Sequence, residues 1–218
     1  MNTTEWMALL TLATATTFTP GPNTTLSTAL AAQGGLRAAL PFVLAVPVGW
    51  TLLLALCASG VGAAVLAVPW LRSAILWIGV AYLLWLAWQL ARTATPTATS
   101  GTPLRISFAR GVGLQLLNLK AWMLTLTVVG GWIAGQPQPW LRLAWVLPVV
   151  VLYAFCSNLA YAWVGAALRH WLAGPWVDGR PSGRRLRRFN AAMAAALAVT
   201  ALWMALGPVG DVPAGLRR

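Results

Sequence analysis

Long apolar runs alternate with short polar connections along the whole of this 218-residue chain. The runs extend over residues 5–31, 38–68, 71–91, 108–134, 140–168 and 189–209. Each reaches about 20 residues, which is the length a helix needs to cross about 30 Å of hydrocarbon. The pattern therefore predicts six membrane-spanning helices. In the second run, Pro41 and Pro47 favour a tilt or kink. The end of that run is open, because residues 65–71 could form a short external connection around Pro69.

The composition indicates an integral membrane protein. Hydrophobic residues make up 59% of the chain and charged residues only 8%, whereas a soluble domain carries about 25% charged residues. The predicted fold class is therefore an all-α bundle of transmembrane helices. Cys57 and Cys156 fall inside apolar runs and are expected to be buried as small hydrophobic residues. We predict no disulfide, metal site or cofactor.

The net charge of +12 indicates membrane orientation rather than nucleic-acid binding, because most of the arginines fall between apolar runs. One side of the predicted bundle carries ten arginines and the other carries four. The ten are Arg37, Arg92, Arg105, Arg110, Arg169, Arg180, Arg184, Arg185, Arg187 and Arg188, and the four are Arg72, Arg142, Arg217 and Arg218. The positive-inside rule places the ten in the cytoplasm of an inner-membrane protein, and both termini in the periplasm. For the basic connection 180–188, binding of anionic lipid headgroups is an alternative to a purely topogenic role.

A polar segment rich in threonine and proline, residues 93–107, divides the chain into two halves. It is predicted to be a cytoplasmic linker between residues 1–92 and 108–210, with a short tail at 211–218. Each half has three predicted spans, so the second half enters the membrane in the opposite sense. Two inverted-topology repeats of three helices are a common transporter architecture. Gly131 and Gly135 form a GxxxG motif, which predicts close helix packing in the fourth span.

The first predicted span is broken near its middle by the residues Thr19, Pro20, Gly21, Pro22 and Asn23. Each proline lacks an N–H and clashes with the carbonyl four residues earlier, so the carbonyls of Thr16 and Phe18 lose their helical partners. Unpaired carbonyls are tolerated at membrane depth only inside protein or beside a wet cavity. We therefore expect this break to line a cavity near the bilayer midplane. The alternative is a purely structural kink.

The fourth predicted span carries Gln115, Asn118 and Lys120 at a comparable depth. Lys120 is the only lysine in the chain, and an intramembrane charge costs roughly 2.5–3.5 kcal/mol on insertion scales. It follows Arg110 by about ten residues, too deep for easy snorkelling to the interface. Polar or broken segments at corresponding positions of two halves indicate a transport site. An interhelical hydrogen bond is the structural alternative for Asn118.

The chemistry of the two segments favours a zwitterionic substrate. Freed carbonyls can accept hydrogen bonds from an ammonium group. Lys120 and the N-terminus of the half-helix after Pro22 can attract a carboxylate. A small amino acid has both groups.

These residues resemble the lysine-exporter (LysE/RhtB) family of amino-acid exporters. The matching stretches are Thr-Pro-Gly-Pro-Asn at 19–23, the glycine-spaced run 35–49, Ala-Tyr-Leu-Leu-Trp-Leu at 81–86, Asn-Leu-Lys-Ala at 118–121, and the ends Glu5-Trp6 and Arg188-Phe189-Asn190. The resemblance implies six helices in two inverted repeats and export of amino acids or their derivatives, often coupled to protons. Leu119 stands where the family usually has proline, which predicts a softer second break. Ala39 and Ala45 stand where family members often have glycine.

Proton coupling has no obvious carboxylate carrier, because Glu5, Asp178 and Asp211 all fall outside the middle of the predicted spans. We hypothesise that Lys120 releases its proton when substrate leaves; exchange and facilitated diffusion are the alternatives. The absence of a clustered nucleophile and base, with the lone His170 at a span end, argues against an enzyme. We therefore predict an amino-acid exporter that works by alternating access. An oligomeric channel for small anions or solutes is the alternative, and a homo-oligomer is compatible with both.

Overall fold

The computed structural model describes residues 1–93, 104–177 and 180–206. Within these residues the chain is helical apart from one short hairpin, so the predicted all-α class is confirmed. The helices are α1 Thr3–Phe18, α2 Pro22–Gly34, α3 Leu36–Ala58, α4 Val61–Ala67, α5 Pro69–Arg92, α6 Phe108–Leu116, α7 Leu119–Trp132, α8 Pro139–Ala173 and α9 Arg184–Leu206. Strands β1 Trp176–Val177 and β2 Arg180–Pro181 pair antiparallel between α8 and α9. Most of the predicted linker, at 94–103, and the predicted tail at 211–218 lie outside the described residues.

Four helices of the described part are long and apolar enough to cross a membrane: α3, α5, α8 and α9. The pair α6–α7, bent by 64° at its break, makes a fifth crossing if it is counted as one span. Helices α1 and α2 contain 16 and 13 residues, so each alone is shorter than a membrane span. The described residues therefore support four or five spans by length and composition, and the count of six stays a prediction.

The second predicted span is shorter than its apolar run. Helix α3 ends at Ala58, and Gly60 follows with a φ of 90°, a left-handed conformation that favours glycine. The short helix α4 then leads to Pro69, which occupies the first turn of α5. The apolar run 38–68 does not form one helix, and its helical end, which the sequence left open, lies at Ala58. The connection covers residues 59–68 rather than 65–71.

Helices α8 and α9 extend beyond their predicted spans. Helix α8 has 35 residues, and α9 begins at Arg184 instead of residue 189. The added turn of α9 carries exposed arginines, so hydrophobicity alone could not reveal it. On α8, Cys156 is exposed, whereas Cys57 on α3 is buried. Burial was therefore predicted correctly for Cys57 and wrongly for Cys156.

Glycines bring the helices around α3 and α8 into close contact. A Cβ at Gly165 of α8 would overlap the Thr28 carbonyl of α2, and a Cβ at Gly49 of α3 would overlap the Gln115 side chain of α6. By contrast, a Cβ at Gly131 or Gly135 would meet no atom within 4 Å. The GxxxG prediction of close packing is therefore wrong. Close approach depends on which face a helix turns toward its neighbour, and the motif alone does not specify that.

The two ends of the bundle are marked by hydrogen bonds between distant residues. At one end, the Trp132 indole N–H donates to the Glu5 carbonyl at 2.9 Å, and Arg142 pairs with the Glu5 carboxylate at 3.0 Å. At the other end, the Leu104 N–H donates to the Gln33 side chain at 3.2 Å. The start of α1 therefore lies beside the start of α8, and the end of α2 lies beside the entry to α6.

Candidate functional site

The first helix breaks where the sequence predicts. Helix α1 ends at Phe18, Thr19 is extended, and α2 begins at Pro22. The Thr24 hydroxyl accepts a hydrogen bond from the Gly21 N–H at 2.9 Å. It satisfies one of the donors that a helix start leaves without an intrahelical partner. Helix α2 thus begins in the interior of the bundle.

The carbonyls at this break are bonded differently from the prediction. The Tyr161 hydroxyl donates to the Phe18 carbonyl at 2.9 Å, and the Ser157 hydroxyl donates to the Thr17 carbonyl at 2.6 Å. Both hydroxyls come from α8. The Phe18 carbonyl therefore already has a partner within the protein and is not a free acceptor for an ammonium group. A carbonyl that loses its helical partner at a proline can accept a hydrogen bond from a side chain of a neighbouring helix instead.

The second break separates α6 from α7 without a proline. Asn118 is extended, with φ −89° and ψ 97°, and α7 begins at the next residue. The Trp122 indole N–H donates to the Leu116 carbonyl at 2.7 Å, which satisfies one of the last carbonyls of α6. The two helices meet at 64°. Leu119 in place of the family proline therefore does not close the break.

An amide pair joins the two breaks. Asn23 Nδ2 donates to Gln115 Oε1 at 2.8 Å, and Gln115 Nε2 donates to Asn23 Oδ1 at 3.2 Å. Gln115 is completely buried and also donates to the Gly111 carbonyl at 3.2 Å. Asn23 and Gln115 therefore link α2 of the first half of the sequence to α6 of the second.

Lys120 extends from the start of α7 to the first break. A Cβ at Gly21 would lie 3.3 Å from the Lys120 Nζ, and the lysine is half-buried. Glu5 is the only acidic residue in the described ranges, and it lies at the far end of α1. Both ion pairs found within these ranges involve Glu5. The charge of Lys120 is therefore not neutralised by a described carboxylate.

A small cavity of about 40 Å³ lies between the two breaks. Of the predicted site residues, it brings together Thr19, Gly21, Pro22, Asn23, Asn118 and Lys120. Gln115 does not line this cavity, but it is hydrogen-bonded to Asn23, which does. Pro20 lines a second, larger cavity instead. One water molecule needs about 10–15 Å³ of such space, so the cavity is too small for an amino acid.

Two residues that sequence reasoning missed also line the small cavity, Trp50 of α3 and Asn158 of α8. Asn158 accepts from the Ser27 hydroxyl at 2.9 Å and donates to the Ala154 carbonyl at 2.8 Å. The Trp50 Nε1 and the Asn118 Oδ1 are buried and have no hydrogen-bond partner in the described part of the chain. The sequence contained one signal for both residues, which is that they lie far from the ends of their predicted spans. Buried polar groups without partners are uncommon and need an explanation.

A larger cavity, about 570 Å³ in volume, adjoins the first on the side of α9. Its walls include Pro20, Gly21 and Lys120 together with Val199 and Trp203. Trp203 is 68% exposed, so this cavity opens at the bundle surface. Lys120 and Gly21 border both cavities. An anionic group in either cavity would meet the lysine and the positive end of the α2 dipole.

The described ranges contain no group of three or more histidine, cysteine, aspartate or glutamate side chains placed to hold a metal ion. The chemistry available at the breaks is therefore recognition of charge and hydrogen-bonding groups by Lys120, amide side chains and helix ends.

The LysE type translocator family matches residues 14–205, which include both breaks. The cysteine/O-acetylserine efflux protein of Klebsiella pneumoniae subsp. pneumoniae is 30% identical over 168 residues, 76% of this chain and 84% of the relative. Its counterpart in Escherichia coli O1:K1 / APEC is 30% identical over 169 residues, 76% of this chain and 84% of the relative. The one in Salmonella typhimurium (strain LT2) is 29% identical over 163 residues, 72% and 82% respectively. No solved structure matches the chain significantly.

The family match covers most of the chain and includes the apolar helices that can cross a membrane. The protein is a multi-pass transporter of the bacterial inner membrane and not an enzyme. The chain belongs to the LysE type translocator family.

Proposed function

We propose that this protein exports small amino acids or amino-acid derivatives from the cytoplasm by alternating access. The observation that carries the proposal is the convergence of Lys120, Asn118 and Trp50 on one small cavity between two broken helices. The relatives described as cysteine/O-acetylserine efflux proteins support substrates of that size. Cysteine and O-acetylserine are the first candidates, because each has one carboxylate, one ammonium group and a short side chain.

The carboxylate of the substrate would bind at Lys120. Its Nζ is directed at Gly21, next to the N-terminus of α2, and α7 begins one residue before Lys120. Two helix N-termini and one ammonium group thus favour negative charge at the same point. The unpartnered Trp50 N–H is a further donor that a carboxylate or a polar side chain can use.

The ammonium group of the substrate would bind at Asn118. Its Oδ1 is buried and has no acceptor role within the described ranges, so a cationic donor would satisfy it. The Phe18 carbonyl, which the sequence had suggested for this purpose, is occupied by Tyr161. Thr16 borders both cavities, and its carbonyl is the other one that a proline deprives of a helical partner.

Alternating access would exchange a closed and an open site around Lys120. The small cavity is smaller than an amino acid, whereas the adjoining cavity has room for one. The proposed frame is six spans in two inverted repeats, with α1–α2 and α6–α7 as the first span of each half. Contact between the start of α1 and the start of α8, opposite the end of α2, supports such a frame. Both termini would lie in the periplasm.

Protons are the proposed coupling ion, with Lys120 as the carrier. The described part of the membrane core has no carboxylate that could serve instead. In this proposal Lys120 releases its proton when the substrate leaves. Exchange of amino acids and facilitated diffusion are the alternatives that a measured dependence on the proton gradient would exclude.

The test is efflux from cells preloaded with cysteine, O-acetylserine and a panel of other amino acids. Wild type, Lys120→Met and the matched control Arg110→Gln, which changes an exposed arginine of α6, are compared at equal membrane levels. We expect saturable efflux from wild type and control, and a loss of about tenfold or more in Lys120→Met, because a charge-assisted contact is lost. Equal efflux from Lys120→Met would remove this residue from the site. Conductance without saturable efflux would favour a channel.

A further inference from the structure

A third cavity lies at the end of α2 that is remote from the helix breaks. Its volume is about 260 Å³, and its walls include Gln33, Arg169, His170, Gly183 and Leu186. These residues come from α2, from the end of α8 and from the start of α9. None of them lines either cavity at Lys120. The cavity is therefore a separate site.

Gln33, one of the residues that line this cavity, has an unused donor. The residue is only 8% exposed, and its Oε1 accepts the Leu104 N–H at 3.2 Å. This bond fixes which way the amide points, because the oxygen must face Leu104. The Nε2 is then buried without a hydrogen-bond partner among the described residues. A buried amide donor without a partner is unfavourable, so the site is suited to a ligand that supplies an acceptor.

Apart from Gln33, the polar side chains that line the cavity are Arg169 and His170. Arg169 and His170 lie in the last turns of α8, and the Arg169 Nη1 would lie 3.2 Å from a Cβ at Gly35. Helix α9 begins at the cavity, since the Arg187 N–H donates to the Gly183 carbonyl at 3.0 Å. The amides before Arg187 therefore lack intrahelical acceptors, and the helix dipole is positive there. The combination favours an oxyanion with several acceptor oxygens.

The surface beside this cavity has the features of a membrane interface. Trp171 is 59% exposed, and the Arg185 guanidinium lies 4.9 Å from the centre of its ring. Arg184, Arg185, Arg187 and Arg188 are all exposed on the first turns of α9. Exposed tryptophan is typical of the headgroup region. Basic pockets between transmembrane helices bind phosphate-bearing headgroups on the cytoplasmic side.

We propose that this cavity binds the phosphate group of an anionic membrane phospholipid, with Gln33 Nε2 and Arg169 as the donors. The phosphate oxygens accept from the buried amide and from the guanidinium, while the acyl chains leave the cavity beside Trp171. This site is independent of the transport proposal, because it shares no residue with the cavities at Lys120.

The experiment counts bound lipids by native mass spectrometry of the purified full chain in neutral detergent. Phosphatidylglycerol is titrated, with diacylglycerol of the same acyl chains as the control without phosphate. The variants are Gln33→Glu and Arg169→Gln. In Gln33→Glu, the introduced carboxylate keeps an acceptor for the Leu104 N–H and replaces the buried amide donor by an oxygen. Arg187→Gln is the matched control, since Arg187 is exposed and outside the cavity.

We expect one tightly bound phosphatidylglycerol, no comparable binding of diacylglycerol, and affinity lower by about tenfold in Gln33→Glu and in Arg169→Gln. Arg187→Gln should change the affinity by less than about twofold. Equal losses in Arg169→Gln and Arg187→Gln would indicate diffuse attraction and overturn the site. Displacement of the lipid by inorganic phosphate at similar concentration would overturn the assignment to lipid in favour of a soluble anion. Two cavity variants are used in case one of them misfolds. A variant counts only if it retains the wild-type melting temperature.

Discussion

Both helix breaks leave backbone carbonyls without helical partners, and different kinds of side chain satisfy these carbonyls. At the first, Pro20 and Pro22 interrupt the helix, and the hydroxyls of Ser157 and Tyr161 on α8 satisfy the carbonyls. At the second no proline is present, and Trp122 of the following helix satisfies the Leu116 carbonyl. The first break therefore depends on a helix more than a hundred residues away, and the second depends on its immediate neighbours.

The second half-helix of each pair begins with matching positions. Pro22 and Leu119 are the first residues of α2 and α7, and Asn23 and Lys120 are the second. Asn23 bonds Gln115 of the other half, and Lys120 is directed at Gly21 of the other half. In each pair the second helical residue therefore contacts the opposite break. One position forms a structural link, and the other places a positive charge beside the first break.

The largest expected effect on stability comes from breaking the link between the two breaks. Gln115→Leu leaves the half-buried Asn23 amide without its partner, which costs about 1–3 kcal/mol. Asn23→Leu should cost a similar amount, and the double variant less than the sum, because both amides are then removed. Thermal unfolding of the purified proteins measures all three, with Gln89→Leu, at a half-buried position of α5, as control. Additive losses would contradict direct coupling of the breaks.

Trp50→Phe separates binding from folding at the small cavity. The indole N–H has no partner in the described ranges, so its removal should leave the melting temperature unchanged or slightly higher. If that N–H binds substrate, the efflux KM rises by about fivefold, equivalent to about 1 kcal/mol. Efflux at graded internal substrate concentrations measures the KM. Trp203→Phe on the exposed wall of the larger cavity is the control. A lower melting temperature with unchanged KM would assign Trp50 a packing role.

Two variants compare the hydrogen bonds that support the two breaks. One removes a hydroxyl at the first break, and the other removes an indole N–H at the second. Tyr161→Phe loses the bond to the Phe18 carbonyl and should cost about 1 kcal/mol of unfolding free energy. Trp122→Phe loses the bond to the Leu116 carbonyl, and removal of the larger ring adds to its cost. Denaturant unfolding of both, with Tyr153→Phe as control, measures the difference. A larger loss in Tyr161→Phe would show that the distant support matters more than the local one.

The smallest expected effect is that of restoring the family proline. Leu119 is the first residue of α7, where an N–H has no intrahelical partner and proline is favoured. The preceding Asn118 already has the extended backbone that a proline requires. Leu119→Pro should therefore stabilise the protein by about 0.4–1 kcal/mol and retain efflux. Melting temperature and efflux together test this. A marked loss of stability would mean that the second break differs in geometry from a proline break.

Which residues lie at the breaks was largely predictable, because proline chemistry is local. Pro20 and Pro22 remove hydrogen bonds wherever the chain places them, and a lysine inside an apolar run must avoid lipid. Their partners were not predictable. The choice of Tyr161 for the Phe18 carbonyl, and of Trp50 for the cavity wall, depends on how α8 and α3 are rotated about their axes. In an almost uniformly apolar helix, the sequence pattern contains little information about that rotation.

The bounds of the helices were also only partly predictable from the sequence. Apolar runs predicted the positions of the helices, because a backbone in hydrocarbon has to satisfy its own hydrogen bonds. Yet Gly60 ends α3 within an apolar run, and exposed arginines continue α9 beyond its own. By itself, therefore, the sequence determined the membrane class, the helical fold, the family and the two polar breaks, since these follow from local backbone and solvation chemistry. Only the tertiary structure decided which faces meet, which carbonyls are already bonded, and that Lys120 lies between two cavities, because those depend on packing between distant helices.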